Sequence, residues 1–406
     1  MKEKLIYFYR WLMWNLLSRP FVSLSIKPKY RYARTPDSQP FPRPPFILIA
    51  NHGTFFDPWM IGVFSPYPIA YMCNDDAFRG SAISQWYLKS IGAFPKKKGA
   101  SDFKAMKTTI GLLRNGYPVG IFPEGQTTWD GETQLLYRGI EKILKKAACP
   151  LVLARIRGNF LTKPWWADTM RKGRILISLQ VLSADVLAAM SDDRLFEIIK
   201  AGIYQNDITD ESNRKASFSG NDLAVGLERF VWMCMHCGSE DSLVTTGNHI
   251  RCRSCEKSWQ IDAWCRLKPE RGDVGSFVDI NEWAAWHREK VIERVHRADA
   301  KTILAQTPKT ALLTEDDQHR FLNRGTGRLT LTKDNLSFEP DDITMPTLRF
   351  PVGDIQNQVI QRKDVFEITV RGIDYRFAFD HRSPMKWMYY VRYVKGYEEC
   401  EKRGFL

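Results

Sequence analysis

Apolar positions along this chain change their period several times, and each change predicts a different kind of element. Residues 4–26 are apolar but interrupted by Arg10, Asn15 and Arg19, so no run of about 20 uncharged residues exists and a simple membrane-spanning helix is not expected. Drawn as a helix, Leu5, Ile6, Tyr9, Leu12, Met13, Leu16 and Leu17 share one broad face. Lys4, Arg10, Asn15, Ser18 and Arg19 lie opposite, with Trp11 and Trp14 near the polar edges. That pattern predicts an amphipathic helix in a lipid headgroup region, with Lys27, Lys29, Arg31 and Arg34 adding attraction for anionic lipid; packing on its own domain is the other reading. No small-residue cleavage site follows the apolar stretch, so a secretory signal peptide is not expected.

A proline-rich link at 36–45 leads into a segment where short apolar runs alternate with helical periods. Runs at 46–49, 119–122, 151–156 and 175–182 predict buried strands, and 103–114, 139–147 and 195–204 predict helices between or after them. Such alternation predicts an α/β sheet with functional residues at strand ends. Residues 205–222 are polar and predict a loop, and 279–305 a charged connector helix in which Trp283, Trp286 and Ile292 face a partner. From Arg328 the period becomes two, with strands at 329–332, 336–338, 359–360, 366–370 and 375–379. Ser383-Pro384 then starts a helix with Trp387, Tyr390, Val391 and Val394 on one face. A small antiparallel β-barrel with one terminal helix is predicted, and in element order it resembles a pleckstrin-homology or GRAM-type module.

The candidate chemistry sits where the first strand ends, in Ala50-Asn51-His52-Gly53-Thr54-Phe55-Phe56-Asp57-Pro58. An imidazole can take a proton from an alcohol near neutral pH, and a carboxylate on its other nitrogen fixes the tautomer. On a regular helix, residues five apart point about 140° away from each other, so His52 and Asp57 meet only if the backbone turns between them. A second strand ends similarly in Phe122-Pro123-Glu124-Gly125-Gln126-Thr127-Thr128. Between the two lies Ile91-Gly92-Ala93-Phe94-Pro95-Lys96-Lys97-Lys98-Gly99, and after them the run from Cys149 to Gly158.

Four blocks in this order resemble the glycerolipid acyltransferase family, over residues 40 to 200. The resemblance implies an acyltransferase domain with a mixed sheet flanked by helices. It implies His52 as base, Asp57 as its orienter, and Glu124, Gly125, Thr127 and Thr128 on the acceptor side. Gly92, Phe94, Lys96, Lys97 and Lys98 would help hold the acceptor's phosphate. The co-substrate implied is acyl-CoA or an acyl-carrier protein, with no organic cofactor. Two departures stand out. Gln126-Thr127-Thr128 replaces the usual Thr-Arg-Ser, so one phosphate-binding Arg is missing, and Lys98 replaces an Arg, which keeps the charge but loses the bidentate fork. No Ser or Cys in the catalytic blocks offers itself as an acyl-enzyme nucleophile, which favours direct transfer.

Cysteines add a metal. Cys234-Met235-His236-Cys237, fourteen residues, then Cys252-Arg253-Ser254-Cys255 brings four thiolates around one tetrahedral ion in a pattern that resembles a zinc ribbon. Iron in a rubredoxin-like site uses the same ligands. Four Cys close the coordination shell, so the ion is expected to be structural, with His236 and His249 as bystanders. Cys73, Cys149, Cys265 and Cys400 are scattered, which fits a reducing compartment.

The divisions expected are an interface segment at 1–40, the acyltransferase domain at 41–229, the ribbon at 230–270, a connector at 271–310 and the barrel at 311–406. A net charge of +13 asks for an anionic partner. Membrane phospholipid is expected rather than nucleic acid, with a lysophospholipid acceptor and an acyl donor as the other partners. The expected place is the cytoplasmic face of a membrane, peripherally or monotopically bound. The acceptor expected is 1-acylglycerol-3-phosphate. Another lysophospholipid or glycerol-3-phosphate, or a non-catalytic lipid-binding scaffold, are the alternatives.

Overall fold

Seven strands make the first sheet: β1 (Tyr32–Arg34), β2 (Ile47–Ala50), β3 (Ala70–Asn74), β4 (Phe94–Lys96), β5 (Val119–Ile121), β6 (Leu151–Arg157) and β7 (Ile175–Leu182), in the order β1-β7-β6-β2-β5-β3-β4. The coordinates are a computed structural model that describes residues 2–96, 103–270, 277–316 and 320–406. Neighbouring strands run parallel except β6 and β7, so the sheet is mixed. Every residue of β2 is buried, because this central strand is covered on both faces; it therefore reads as an unbroken apolar run and not as an alternation.

Alternate side chains of β2 enter two different cores. Ile47 and Ile49 join the helices Phe103–Arg114, Ile140–Ala147 and Asp192–Ile203 through Leu113, Ile143, Leu144, Phe196 and Ile199. Leu48 and Ala50, with Phe46 just before the strand, join Met60 and Ile61 of the helix Asp57–Gly62 and Val22, Ile26 and Tyr30 of the N-terminal helical run. Helices thus flank both faces, as α/β layering requires.

The N-terminal run, residues 2–30, is helical throughout but mixes α-type and wider π-type turns. Trp14, Ser18, Val22, Ile26 and Tyr30, four residues apart, are all buried. A strict α-helix would rotate such a stripe steadily away from its partner; the wider turns at Met13–Ser18 and Val22–Ile26 keep it on one face. Trp14 therefore packs inward against Gly62, where a Cβ would lie 2.9 Å from its ring, and not at a polar edge. The other side leaves Leu5, Phe8, Leu16, Phe21 and Leu24 exposed. Among the described residues no helix is long and apolar enough to cross a membrane.

By its internal contacts the chain divides into two compact units. The first comprises Met1–Trp165, Met170–Ser219 and Phe405–Leu406, and the second Trp166–Thr169 and Gly220–Gly404. In the second, β8 (Leu243–Thr246), β9 (His249–Cys252), β10 (Ser258–Ile261) and β11 (Leu267–Pro269) form an antiparallel sheet. The helix Ile280–Arg297 follows, capped by the Asp279 carboxylate, which accepts from the N–H groups of Asn281 and Glu282.

Seven more strands, β12 (Ala305–Glu315), β13 (Phe321–Leu331), β14 (Asn335–Pro340), β15 (Leu348–Pro351), β16 (Ile355–Gln361), β17 (Val365–Val370) and β18 (Ile373–Ala378), pair antiparallel in the order β15-β14-β13-β12-β18-β17-β16. The helix Pro384–Val394 packs on β16, β17 and β12, and the Ser383 hydroxyl accepts from the N–H of Lys386 at its start. β12 overlaps the segment expected to be connector. Its inward positions include Thr307 and Thr310, and a register shift falls between them, so the apolar alternation is weak.

Candidate functional site

Chain reversal after β2 is organised by one carboxylate. Asp57 is fully buried, and its Oδ2 accepts from the backbone N–H groups of Gly53 at 2.8 Å and Thr54 at 2.9 Å, while Oδ1 accepts from the Thr54 hydroxyl at 2.7 Å. Wrapping the loop around the carboxylate brings the imidazole of His52 back over it, with Nδ1 3.0 Å from Oδ2. The turn demanded by the five-residue spacing is therefore made by the residues between. His52 keeps 20% of its side-chain surface exposed. With Nδ1 engaged by a carboxylate, Nε2 is the nitrogen left to face a substrate.

Upstream, Asn51 extends the β2–β6 ladder with its side chain: its amide donates to the Ile156 carbonyl at 2.9 Å and accepts from the Ile156 N–H at 2.7 Å. The loop is thus anchored on the residue just before His52. An aromatic column supports the imidazole from below, with Phe122 at 4.4 Å between ring centroids and Tyr71 of β3 stacked on Phe122 at 6.1 Å. Gly120 of β5 makes room for it, since a Cβ there would lie 2.3 Å from the Tyr71 ring. Burial, and secondarily the Asp57 charge, drives the Tyr71 phenol pKa upward.

Glu124 reaches the same loop from the next strand. It is buried, and its two oxygens accept from the backbone N–H groups of His52 at 2.6 Å and Gln134 at 2.7 Å. Burial pushes its carboxyl up to about 8, against the lowering effect of those two donors; the charges of Asp57 and Asp130 act in the same direction as burial. Thr128 donates its N–H to the His52 carbonyl at 2.9 Å and its hydroxyl to Asp130 at 2.9 Å, and Thr127 is buried beside it. Gly125 adopts φ +72° and packs against Tyr137, whose ring would lie 2.8 Å from a Cβ.

The same tyrosine meets the second block, because the Lys96 ammonium lies 5.4 Å over its ring centroid. Gly92, at φ +84°, packs under the Arg10 guanidinium, and Phe94 is buried in the core. Lys97 and Lys98 lie outside the described residues. His52, Asp57, Glu124, Gly125, Thr127 and Thr128 are thus gathered around one loop, with Lys96 joined to them through Tyr137. Gln134 and Tyr137 carry no motif of their own; their positions after a buried Glu-Gly turn are the one signal available in the sequence.

A second cluster lies in the second unit. The sulfurs of Cys234, Cys237, Cys252 and Cys255 all lie within 4.8 Å of one another, with Cys234–Cys255 at 3.8 Å and Cys237–Cys252 at 3.7 Å. Four sulfurs placed tetrahedrally about 2.3 Å from one ion would stand about 3.8 Å apart, so the donor set fits a tetrahedral metal. Although burial disfavours its thiolate, Cys252 is held below the ordinary thiol range by the Ser242 hydroxyl and the N–H groups of Cys255 and Ser254. His249 pairs with Glu270, and His236 is exposed; neither belongs to the cluster.

A profile of the Acyltransferase family matches residues 33–157, which include both the His52–Asp57 loop and Glu124. The 1-acyl-sn-glycerol-3-phosphate acyltransferase of Bacillus subtilis (strain 168) is 32% identical over 159 residues, covering 38% of this chain and 76% of that protein. The crystal structure of the 1-acyl-sn-glycerophosphate (LPA) acyltransferase from Thermotoga maritima aligns with a TM-score of 0.38 and 19% identity, over 49% of this chain and 86% of that one. The chain belongs to the glycerolipid acyltransferase family. It is an O-acyltransferase.

Proposed function

We propose that the protein moves a fatty acyl group from an acyl-CoA or acyl-carrier-protein thioester to the free hydroxyl of 1-acylglycerol-3-phosphate at a membrane surface. The observation that carries the reading is the pair formed by the partly exposed His52 and the fully buried Asp57, 3.0 Å apart. His52 Nε2 takes the hydroxyl proton as the oxygen attacks the thioester carbonyl, and Asp57 stabilises the imidazolium that forms. The tetrahedral intermediate collapses by breaking the C–S bond. The imidazolium then returns its proton to the departing thiolate, which, with a thiol pKa of about 8.5, is a good leaving group.

Acceptor identity is supported by the name of the Bacillus subtilis relative and by Lys96, with Lys97 and Lys98 beside it in the sequence, as offsets for phosphate charge. A second reading, glycerol-3-phosphate or another lysophospholipid, is favoured by the missing Arg at Gln126-Thr127-Thr128. An apolar cavity of about 310 Å³ lined by Leu17, Phe21, Ile26, Phe56 and Trp59 adjoins the chain on either side of Asp57 and suits a hydrocarbon tail.

The outward apolar residues of the N-terminal run are the proposed membrane contact, at the cytoplasmic face. The four cysteines are proposed to hold one structural zinc ion, whose chemistry there is to fix the two knuckles. β12–β18 with their terminal helix are proposed as a pleckstrin-homology or GRAM-like module. Offering purified protein and acyl-CoA a panel of 1-acylglycerol-3-phosphate, other lysophospholipids and glycerol-3-phosphate, with products read by mass spectrometry, tests the assignment. Phosphatidate as the main product supports it, and a different acylated product replaces the acceptor.

A further inference from the structure

Asp57 has one more partner, which lies beyond the residues matched by the family profile. The Asn159 amide donates to Asp57 Oδ1 at 3.2 Å and Oδ2 at 3.3 Å, and both side chains are buried. Which end of this amide faces the carboxylate is fixed by its other contact: Asn159 Oδ1 accepts from the Phe160 N–H at 3.0 Å. Flipped, the amide would set its oxygen against a carboxylate and its NH₂ against an N–H.

The turn that carries Asn159 is itself clamped. Asp207, fully buried, accepts from the Gly158 N–H at 2.8 Å and the Phe160 N–H at 3.0 Å, on either side of Asn159. The Asn213 and Gln205 amides, at 3.1 and 3.2 Å, hold Asp207 in turn. Gly158 sits at φ +79°, where a Cβ would lie 2.6 Å from the Arg174 carbonyl oxygen, so the turn cannot take a larger residue.

A separate observation points to the same contact. Gly53, the residue after His52, has no Cβ because the Asn159 amide occupies that space: an ideal Cβ would stand 2.6 Å from Nδ2 and 2.7 Å from Cγ. Gly53 is not among the residues with positive φ, so backbone freedom does not account for it. The glycine is there to admit the amide.

We propose that Asn159, held by Asp207, is a positioning residue for the catalytic pair, fixing the Asp57 carboxylate and through it the His52 ring. The inference rests on the general-base reading of His52. Its route is Asp207 to the Gly158–Phe160 backbone, then Asn159, Asp57 and His52, so it reaches the reacting group only through others. Loss of such a partner misorients the base without removing it, and this lowers the chemical step more than substrate binding.

The test measures kcat and KM for full-length wild type, Asn159→Ala, Gly53→Ala and the double variant, with acyl-CoA and 1-acylglycerol-3-phosphate, and with His52→Ala as reference. Asn159→Ala is expected to lower kcat by about 10–100-fold while KM for both substrates stays within about threefold. Gly53→Ala is expected to lower kcat comparably by displacing the amide. Added to Asn159→Ala it should cost less than about threefold more, because the methyl then has space.

Wild-type kcat in Asn159→Ala beside an inactive His52→Ala overturns the inference, as do effects of the two substitutions that multiply or a change confined to KM. Full turnover in His52→Ala instead overturns the general-base reading beneath it. Should Asn159→Ala not fold, Gly53→Ala alone decides, since its obstacle is the amide: an unchanged kcat refutes the positioning role, and a fall in kcat at constant KM supports it.

Discussion

Replacing Asp57 by Asn keeps the shape of the buried side chain and removes its charge, so its cost follows from counting donors. The oxygen of the new amide would take the place of Oδ2, which faces four donors: His52 Nδ1, Gly53 N–H, Thr54 N–H and, at the longer distance of 3.3 Å, the Asn159 NH₂ that Oδ1 shares. Its NH₂ would then take the place of Oδ1. There the Thr54 hydroxyl can rotate and accept, but the Asn159 NH₂ cannot. One donor–donor conflict in a buried site costs about 1–3 kcal/mol of stability. The imidazolium also loses a charged hydrogen-bond partner worth about 1.5–3 kcal/mol, which lowers kcat by roughly 10–150-fold.

The two costs separate in Asp57→Asn combined with Asn159→Asp. The amide at 57 would then donate to a carboxylate at 159 whose other oxygen still accepts the Phe160 N–H. Stability should return only in part, because the carboxylate at 159 would share the Phe160 N–H with the buried Asp207, whereas kcat should stay low because the anion no longer touches Nδ1. Urea unfolding and acyl-transfer assays on the same preparations read both. A double variant that recovers turnover, or an Asp57→Asn variant with wild-type kcat, would refute the reasoning.

The remaining expectations concern three other sites. Glu124 titrates at about 8 when folded against an ordinary 4.5, so the folded chain holds this proton more tightly than the unfolded chain. Its contribution is full below about pH 4.5 and is lost as pH rises through about 8, a change of a few kcal/mol; Glu124→Gln should flatten that slope in unfolding curves measured from pH 4.5 to 8.5. Elemental analysis of protein purified under reducing conditions should give about one zinc per chain, and substituting Cys234 and Cys252 by Ser should abolish it; a metal-free wild type would contradict the site. Because the inner stripe of the N-terminal run belongs to the core, the membrane contact is better tested by changing its outer face than by deletion. Leu5, Leu16 and Leu24 replaced together by Glu should release the protein from anionic liposomes, at about 1.5–3 kcal/mol for each side chain fully buried in lipid, while turnover of a short-chain soluble acceptor is kept. Undiminished liposome binding would move the contact elsewhere.

The α/β unit was legible because β2 and β6 read as apolar runs, β7 is eight residues long, and the helix Phe103–Arg114 is regular enough to show its period. Strands β1 and β4 are three residues each and carry Arg34, Pro95 and Lys96, so no alternation can show in them. β3 ends in the polar Cys73-Asn74 and merges into a turn. The buried stripe of the N-terminal run was hidden by its four-residue spacing, which reads as a helical face only once the wider turns are known. At the site, His52 and Asp57 are visible because they share one loop. Asn159 and Asp207 are not, since Asn159 reaches that loop only when β6 and the turn after it are laid beside β2, Asp207 touches only that turn, and neither bears a recognisable spacing to the pair. Glu124 was visible as a residue, but its grip on the His52 backbone depends on the β2–β5 pairing.

The central claim, that His52 is the base for acyl transfer to a glycerol hydroxyl, is tested most directly by one comparison. Wild type and His52→Ala, each confirmed folded by its unfolding transition, are given acyl-CoA and 1-acylglycerol-3-phosphate, and phosphatidate formed is measured against time. Wild type should form phosphatidate, with the rate in His52→Ala lower by a hundredfold or more. Equal rates in the two proteins would contradict the account.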